Sequence, residues 1–512
     1  MAASKFGTVY LVGAGPGDPG LLTLRGAQCL GRADLVLYDY LASPQLLEHA
    51  AEAAELVCLG HHGHSRIMSP AEVQARMVDA ARRGQTVVRL KSGDPLVFGR
   101  AAEEIAALRA AGIAFEIVPG VTAAMAAASH AGVLLTRRDG VAAVALVTGQ
   151  LEKGPADAES LDFKALAAFP GTLVFYMGVT TAECWTGELI AAGLPADTPA
   201  AIVRRASWPD QLTNRCRLDQ VAAEIKARKL RPPVVVIVGD VAGVDAGIDW
   251  FERRPLFGHC VLVTRADSQS SELVRRFAEL GAQVFRQPAI QIGPPADWSA
   301  VDQAIATIAT YDWLVFSSAN GVRYFLDRLL TTADVRRLGG VRLAAIGPGS
   351  ADELARYSLK VDLQPAEYRA EALAAALAPH ASGKRFLLAR ASRGREVLAQ
   401  ELRAIGAHVD QVVVYSSTDV ARPDPEVLDA LAAGRIDFTT VTSSAIARSL
   451  VAMFGKSLRK TRLVSISPLT SGALRDLGHE PSAEAREYTT AGVLAATVEL
   501  ASKLADQVKR SG

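Results

Sequence analysis

The second half of the chain repeats itself, and that repeat limits what it can fold into more than any other feature. "VLVTRADSQSSELVRRFAELGAQV" (261–284) is echoed by "FLLARASRGREVLAQELRAIGAHV" (386–409). "DWLVFSSANGVRYFL" (312–326) is echoed by "DFTTVTSSAIARSLV" (437–451), and "VRLAAIGPGSADELARYSLKV" (341–361) by "TRLVSISPLTSGALRDLGHEP" (461–481). The offset is close to 125 residues each time. A period that long means two related lobes, not a solenoid. Each copy runs from an apolar strand through a Ser/Thr/Gly turn into a helix, which predicts α/β. Such turns place hydroxyls and backbone N–H groups at helix N-termini, where anions are favoured. Any one of these serines is equally well an ordinary helix cap. The same pattern at several strand ends, in both lobes, predicts a cleft lined with donors between them.

The first half opens on "TVYLVGAGPGDPG" (8–20), an apolar run feeding a cluster of glycines. A dinucleotide loop wants G-x-G-x-x-G, with the third glycine packing helix against strand. Here Asp18 holds the third-glycine place, and Pro16 and Pro19 stiffen the loop. "DLVLYD" ends in Asp39, where a ribose-binding acid would stand. An acid flanked by prolines suits a phosphate cradle badly, and a lone Gly-rich loop is a weak signal in either direction.

Composition narrows the classes. Half of the 512 residues are hydrophobic, so large cores can be buried. No apolar run approaches the ~20 residues of a membrane span. The N-terminal residues do not read as a signal peptide, so a soluble cytoplasmic protein is expected. A net charge of +1 argues against bulk binding to nucleic acid. The five cysteines at 29, 58, 184, 216 and 260 are scattered, without a C-x-x-C pair. No zinc site or disulfide framework is expected. A polar, turn-rich stretch at 246–258 reads as a linker between two α/β halves, 1–245 and 259–512.

Further motifs in the first half agree with one another. "VVRLKSGDPLVFGR" (87–100) has a strand, a Gly-Asp-Pro turn and an arginine entering a helix. "VPGVTAAMAAASHAGVLLTRRD" (118–139), "TLVFYMGV" (172–179), "PAAIVRRASWPDQ" (199–211) and "PPVVVIVGDVAG" follow in order. From about residue 7 to 244 the chain closely resembles the uroporphyrinogen-III C-methyltransferases. The resemblance implies a two-lobed tetrapyrrole-methylase fold with S-adenosylmethionine (SAM) between the lobes. It implies methylation of uroporphyrinogen III at C2 and C7 to give precorrin-2, on the sirohaem and cobalamin branch, and a homodimer formed through this half.

Carried over residue by residue, the resemblance places Pro16, Ser92, Gly93, Asp94, Val97, Thr122, Ala123, Met177 and Ala206 at SAM. Asp39 matches the family's proton acceptor, Arg89 a substrate-binding arginine with a catalytic role, and Arg100 a group reaching a substrate carboxylate. For Arg100 a surface ion pair is the alternative, and for Met177 core packing. The chain departs from the family at "VCLGHHGHS" (57–65), where His61 takes the place of a proton-donating lysine and His62 that of an arginine. His64 adds a third imidazole, but no acid or cysteine sits nearby, so no metal is expected. A solvated loop is the alternative for His61.

The second half, about 259–505, resembles uroporphyrinogen-III synthase in its duplicated pattern, "FSSANGV", "IGPGSADEL" and "VVVYSST". That family implies two flavodoxin-like lobes, here 259–291 with 418–505 and 292–417. It implies closure of hydroxymethylbilane to uroporphyrinogen III with inversion of ring D. Tyr415 matches the family's candidate for assisting loss of hydroxide, a half-buried strand aromatic being the alternative. Ser318, Ser350, Ser444 and Thr470 match hydroxyl or N–H sites for substrate carboxylates. The alternatives are an NAD-dependent oxidoreductase built on the first loop and a non-catalytic two-lobed binding module in the second half.

Overall fold

The computed structural model describes residues 6–60, 67–150, 161–244, 247–394 and 396–511. The chain divides into two compact units, Met1–Gly258 and His259–Gly512.

The first unit holds a parallel sheet of β1 (Val9–Gly13), β2 (Leu35–Tyr38), β3 (Glu55–Cys58), β4 (Val87–Lys91) and β5 (Phe115–Val118). Their order is β3-β2-β4-β1-β5. The run "VVRLK" of β4 is buried at every position, the mark of a central parallel strand covered on both faces. Alternate side chains share a face. Val88 and Leu90 pack with Val12 and Leu30, while Val87 packs on the other face with Leu11, Leu37 and Met77. Arg89 and Lys91 lie on that second face, so two cations enter a buried layer.

The second sheet of this unit is β6 (Val144–Thr148), β7 (Thr172–Tyr176), β8 (Pro199–Arg204), β9 (Leu212–Arg217) and β10 (Val234–Val238), in the order β6-β7-β10-β8-β9. β6 and β7 run parallel and the other pairs antiparallel.

Of the expected linker 246–258, the described residues 247–258 pack on this unit. Phe251 and Leu256 are fully buried. Trp250 Nε1 donates to the Ser129 carbonyl at 2.9 Å, and the His130 and Phe251 rings lie 4.7 Å apart. A turn-rich composition predicts a loop, but the aromatic residues spaced through it find apolar surface to cover.

That packing buries His130, whose Nδ1 lies 3.0 Å from the Ala126 carbonyl. Burial pushes its imidazole below the usual range, with the Ala126 bond partly opposing. A histidine depressed in the folded state takes up a proton more readily when unfolded, so stability falls as pH drops through ~6.5. Denaturant midpoints of this unit at pH 7.5 and 5.5 are expected to show that loss, and His130→Gln to reduce it. Equal pH sensitivity in wild type and variant would exclude His130 as its source.

The second unit contains two sheets built on the repeat. One is β11 (Cys260–Val263), β12 (Gln283–Arg286), β18 (Phe438–Val441), β19 (Arg462–Ser465) and β20 (Ala483–Glu484), ordered β12-β11-β18-β19-β20 and parallel. The other is β13 (Ile290–Gly293), β14 (Trp313–Phe316), β15 (Arg342–Ala345), β16 (Arg385–Ala391) and β17 (His408–Asp419), ordered β13-β17-β16-β14-β15. Repeat partners hold equal places: β12-β11-β18-β19 matches β17-β16-β14-β15. The first segment of the first copy therefore joins the last two of the second copy. β13 pairs antiparallel with the end of β17, and β16, β14 and β15 run parallel. No helix among the described residues is long and apolar enough to cross a membrane.

Candidate active sites

A cleft of about 660 Å³ opens in the first unit, lined by the residues that follow β2 and β4. Ligands of open α/β sheets bind outside such carboxyl ends. At its floor Asp39, 29% exposed at the side chain, faces Arg89, which is 7% exposed. Arg89 Nη2 donates to Asp39 Oδ1 at 2.6 Å, and the Ser92 N–H donates to Asp39 Oδ2 at 3.1 Å. Asp39 thus presents a carboxylate oriented by two donors and still open to the cleft.

The turn after β4 is a second wall. Gly93 takes φ +68°. Asp94 accepts from the Leu96 N–H at 2.8 Å and the Gly120 N–H at 2.9 Å. Ser92, Gly93, Asp94, Val97 and Arg100 line the cleft here. Arg100 pairs with Glu103 at 3.1 Å, both half-exposed. Thr122 and Ala123 lie opposite, at the start of helix Ala123–His130. Met177 and Ala206 also line the cleft. Met177 is 47% exposed, so it is not a core residue.

Backbone strain gathers around this space. Phe98, Arg100 and Met177 line it with φ between +53° and +55°. Arg205 and Ser207, on either side of Ala206, are also positive. Non-glycine residues in this region are costly and tend to cluster at ligand sites.

The Gly-rich loop does not form a phosphate cradle. Four of its amides are spent within the protein, two of them as Ala14 N–H on the Lys91 carbonyl at 2.7 Å and Gly15 N–H on the Gly93 carbonyl at 3.2 Å. The Asp18 N–H donates to Ser207 Oγ at 3.0 Å, and Gly20 N–H to Asp18 Oδ1 at 2.8 Å. The Pro16 carbonyl accepts from Trp208 Nε1 at 3.0 Å. After a single 3-10 turn at Pro19–Leu21, the next α-helix begins only at Leu24, with Thr23 as its cap. With those donors engaged and the helix displaced, nothing here supports the dinucleotide alternative.

In the second unit Ser318 caps helix Ala319–Leu330, accepting the Gly321 N–H at 3.0 Å. Its Oγ lies 3.1 Å from the Tyr415 hydroxyl. Tyr415 is 8% exposed, and its ring stacks on Tyr324 at 5.8 Å. Burial pushes its phenol up. A bulge between Arg390 and Ala391 places Ala391 opposite Tyr415, and with it the burial alternation breaks after Val414. Ser444 begins helix Ser444–Phe454 and donates to the Leu469 carbonyl at 3.3 Å.

Ser350 and Thr470 are less open than Ser318 and Ser444. Both are buried within first helical turns. The Ser350 N–H is taken by Gly347, and the Thr470 N–H by Ser467 Oγ at 3.4 Å. Neither backbone N–H is left for a substrate carboxylate. The caps are Ser443 and Ser467, which sequence reading passed over because each is one serine or threonine among several in its turn. His61 lies outside the described residues, as do His62 and His64.

Comparison with known proteins matches residues 8–222 to the tetrapyrrole (corrin/porphyrin) methylases and 271–495 to uroporphyrinogen-III synthase HemD. The porphyrin biosynthesis protein HemD of Ruminiclostridium josui is 31% identical over 496 residues, 96% of this chain and 95% of that protein. The chain belongs to this HemD porphyrin-biosynthesis family. It is a bifunctional α/β enzyme of tetrapyrrole biosynthesis, a methyltransferase unit followed by a synthase unit. The uroporphyrinogen-III C-methyltransferase of Bacillus subtilis (strain 168) is 33% identical over 362 residues, 70% of this chain and 74% of that one. A solved uroporphyrin-III C-methyl transferase from Thermus thermophilus, complexed with S-adenyl homocysteine, is 40% identical, covering 46% of this chain and 99% of its own, at a TM-score of 0.40.

Tyr176, Lys91 and Glu104 are among the cleft residues that escaped the sequence reading. Tyr176 carries its hydroxyl to Thr122 Oγ1 and to the Ala124 N–H, both at 2.8 Å. Lys91 and Glu104 also line the cleft, though each is nine-tenths buried. Two basic residues spaced i, i+2 in an otherwise apolar strand were the available signal for a buried acidic partner.

Proposed function

We propose that the synthase unit closes hydroxymethylbilane to uroporphyrinogen III with inversion of ring D, and that the methylase unit methylates that product at C2 and C7 with SAM, giving precorrin-2. The observation carrying the methylase reading is the cleft itself, with a carboxylate and arginine at its floor and a Gly-rich loop that spends four of its amides within the protein.

The residues present fit SAM. A sulfonium nucleoside has no phosphate to cradle, and the small residues Gly93, Ala123 and Ala206 leave room beside the backbone for an adenosine. When bound, SAM supplies an electrophilic methyl group to an electron-rich pyrrole carbon. In-line placement supplies much of such a rate, and in this reading the strained turns at Arg100 and Met177 define the slot. The methylated ring must then lose a proton. Asp39 is the acceptor in reach, held by Arg89 and the Ser92 N–H. His61 is assigned the place of the family's lysine by resemblance.

In the synthase unit, helix N-termini at Ser318 and Ser443 suit an anionic substrate. Tyr415 assists loss of hydroxide in this reading, its hydroxyl oriented by Ser318. Assembly as a homodimer through the methylase unit and a cytoplasmic setting belong to the same proposal.

The decisive experiment supplies hydroxymethylbilane to the purified chain with and without SAM. The type III isomer is expected without SAM, and precorrin-2 with it. Formation of the type I isomer alone, as in buffer, would end the synthase reading. Accumulation of uroporphyrinogen III despite SAM would end the methylase reading.

A further inference from the structure

The face of β4 that carries Arg89 and Lys91 holds a second acid. Glu104, in the first turn of helix Ala101–Ala110, is 7% exposed, beside Arg89 at 6% and Lys91 at 3%. Its Oε1 accepts from Arg89 Nε at 3.0 Å and from Lys91 Nζ at 2.9 Å, and its Oε2 from Lys91 Nζ at 2.9 Å. Two cations and two carboxylates, Asp39 being the other, make a closed set with no net charge. A buried charge left without its partner is strongly destabilising, which accounts for the pairing but not for its placement at the cleft floor.

The placement bears on Arg89. Its guanidinium is planar and rigid, and three bonds fix it. Nε donates to Glu104, Nη1 to the Leu90 carbonyl at 3.1 Å, and Nη2 to Asp39 at 2.6 Å. Glu104 holds the Nε end of the same guanidinium edge whose Nη2 holds Asp39. Without it the plane can turn about the remaining contacts, and the oxygen that faces the cleft turns with it.

We infer that Glu104 is a positioning residue for methyl transfer, holding Arg89, and through it the Asp39 carboxylate, in its working orientation. Lys91 provides a second cationic partner for Glu104 there. Burial and the neighbouring Arg89 push the Lys91 ammonium down, and Glu104 opposes them. The inference rests on the methylase reading, and its experiment separates the two. If the wild-type chain transfers no methyl group from SAM, the reading itself fails.

With an active wild type, the test is a double-mutant cycle on the full chain, followed by single-turnover methyl transfer. Misplacement by about 1 Å can cost on the order of 10²-fold in rate. Glu104→Gln is expected to lower the rate of the folded enzyme by about 10–100-fold, with KM for SAM changed less than about twofold. In an Arg89→Met background the same substitution is expected to change the rate less than about twofold, because the residue through which it acts is gone.

A merely structural role would lower the melting temperature without changing the rate of the folded fraction, and that result overturns the inference. Equal factors in both backgrounds also overturn it. If Glu104→Gln does not fold, Glu104→Gln/Lys91→Met removes one charge of each sign and replaces it. Its rate is then compared with Lys91→Met alone, with and without Arg89→Met. The same loss, abolished in the Arg89→Met background, is expected, and no loss sinks the inference.

Discussion

Asp39→Asn is expected to lower methyl transfer by about 10²–10⁴-fold, the range typical of a lost general base, while ring closure by the synthase unit is unchanged. The substitution keeps the shape of the side chain. An amide oxygen can still accept from Ser92 N–H or from Arg89, the two donors that hold Asp39 now. The proton acceptor and its charge are gone. Because Arg89 keeps Glu104, the floor of the cleft retains a partner for its cation and the unit should fold. The measurement is the rate of methylated product from uroporphyrinogen III and SAM, beside the rate of type III isomer from hydroxymethylbilane. A methylation rate within about fivefold of wild type would remove Asp39 from the chemistry.

The second large effect is on stability. Gly120→Ala should cost the methylase unit about 3 kcal/mol or more, the upper range for overpacking a close contact. A Cβ on Gly120 would stand 2.2 Å from the Gly93 carbonyl oxygen and 2.7 Å from Gly13 Cα. All of these neighbours are backbone, so no side chain can swing aside. Moving Gly120 also disturbs the N–H that holds Asp94. Denaturant unfolding should show the transition of this unit shifted to lower midpoint, and methyl transfer lost, with ring closure retained. Gly187→Ala is the control. Gly187 lies inside helix Ala182–Ala191 with nothing within 4 Å of the added Cβ, and there alanine should stabilise by about 0.5–1 kcal/mol. A Gly120→Ala midpoint equal to wild type would mean that β1, the turn after β4 and the end of β5 can separate without cost.

These two sites divide what could be read from the residues. Asp39 stands at the end of a strand-like run inside a recognisable order of motifs, and it lines the cleft. Gly120 carried no signal, since nothing in "VPGVT" says which backbone it will touch. The cleft-lining residues cluster in short loops that follow strands, and such loops show as local patterns. Lys91 and Glu104 were missed because their pairing joins a strand to the first turn of a helix thirteen residues on. Ser443 and Ser467 were missed because the cap is decided by backbone angles, which neighbouring hydroxyls do not reveal.

By itself, the sequence determined the α/β class, the duplicated lobes and the order of motifs in the methylase unit. The α/β class follows from local periodicity, where neighbours along the chain decide whether a stretch suits a strand or a helix; the lobes follow from the long internal repeat, and the motif order is legible through its resemblance to a family. Tertiary structure alone decided the rest. It set the engaged amides of the Gly-rich loop, since Gly15 meets Gly93 across 78 residues of chain. It turned Tyr415 inward through a bulge, where a strict period of two would have grouped it with the exposed Val413. It drew residues 247–258 onto the first unit, because apolar surface around His130 was available to them. In each case the outcome depends on which distant backbone or surface arrives alongside, and that contact leaves no periodic trace in the residues that make it.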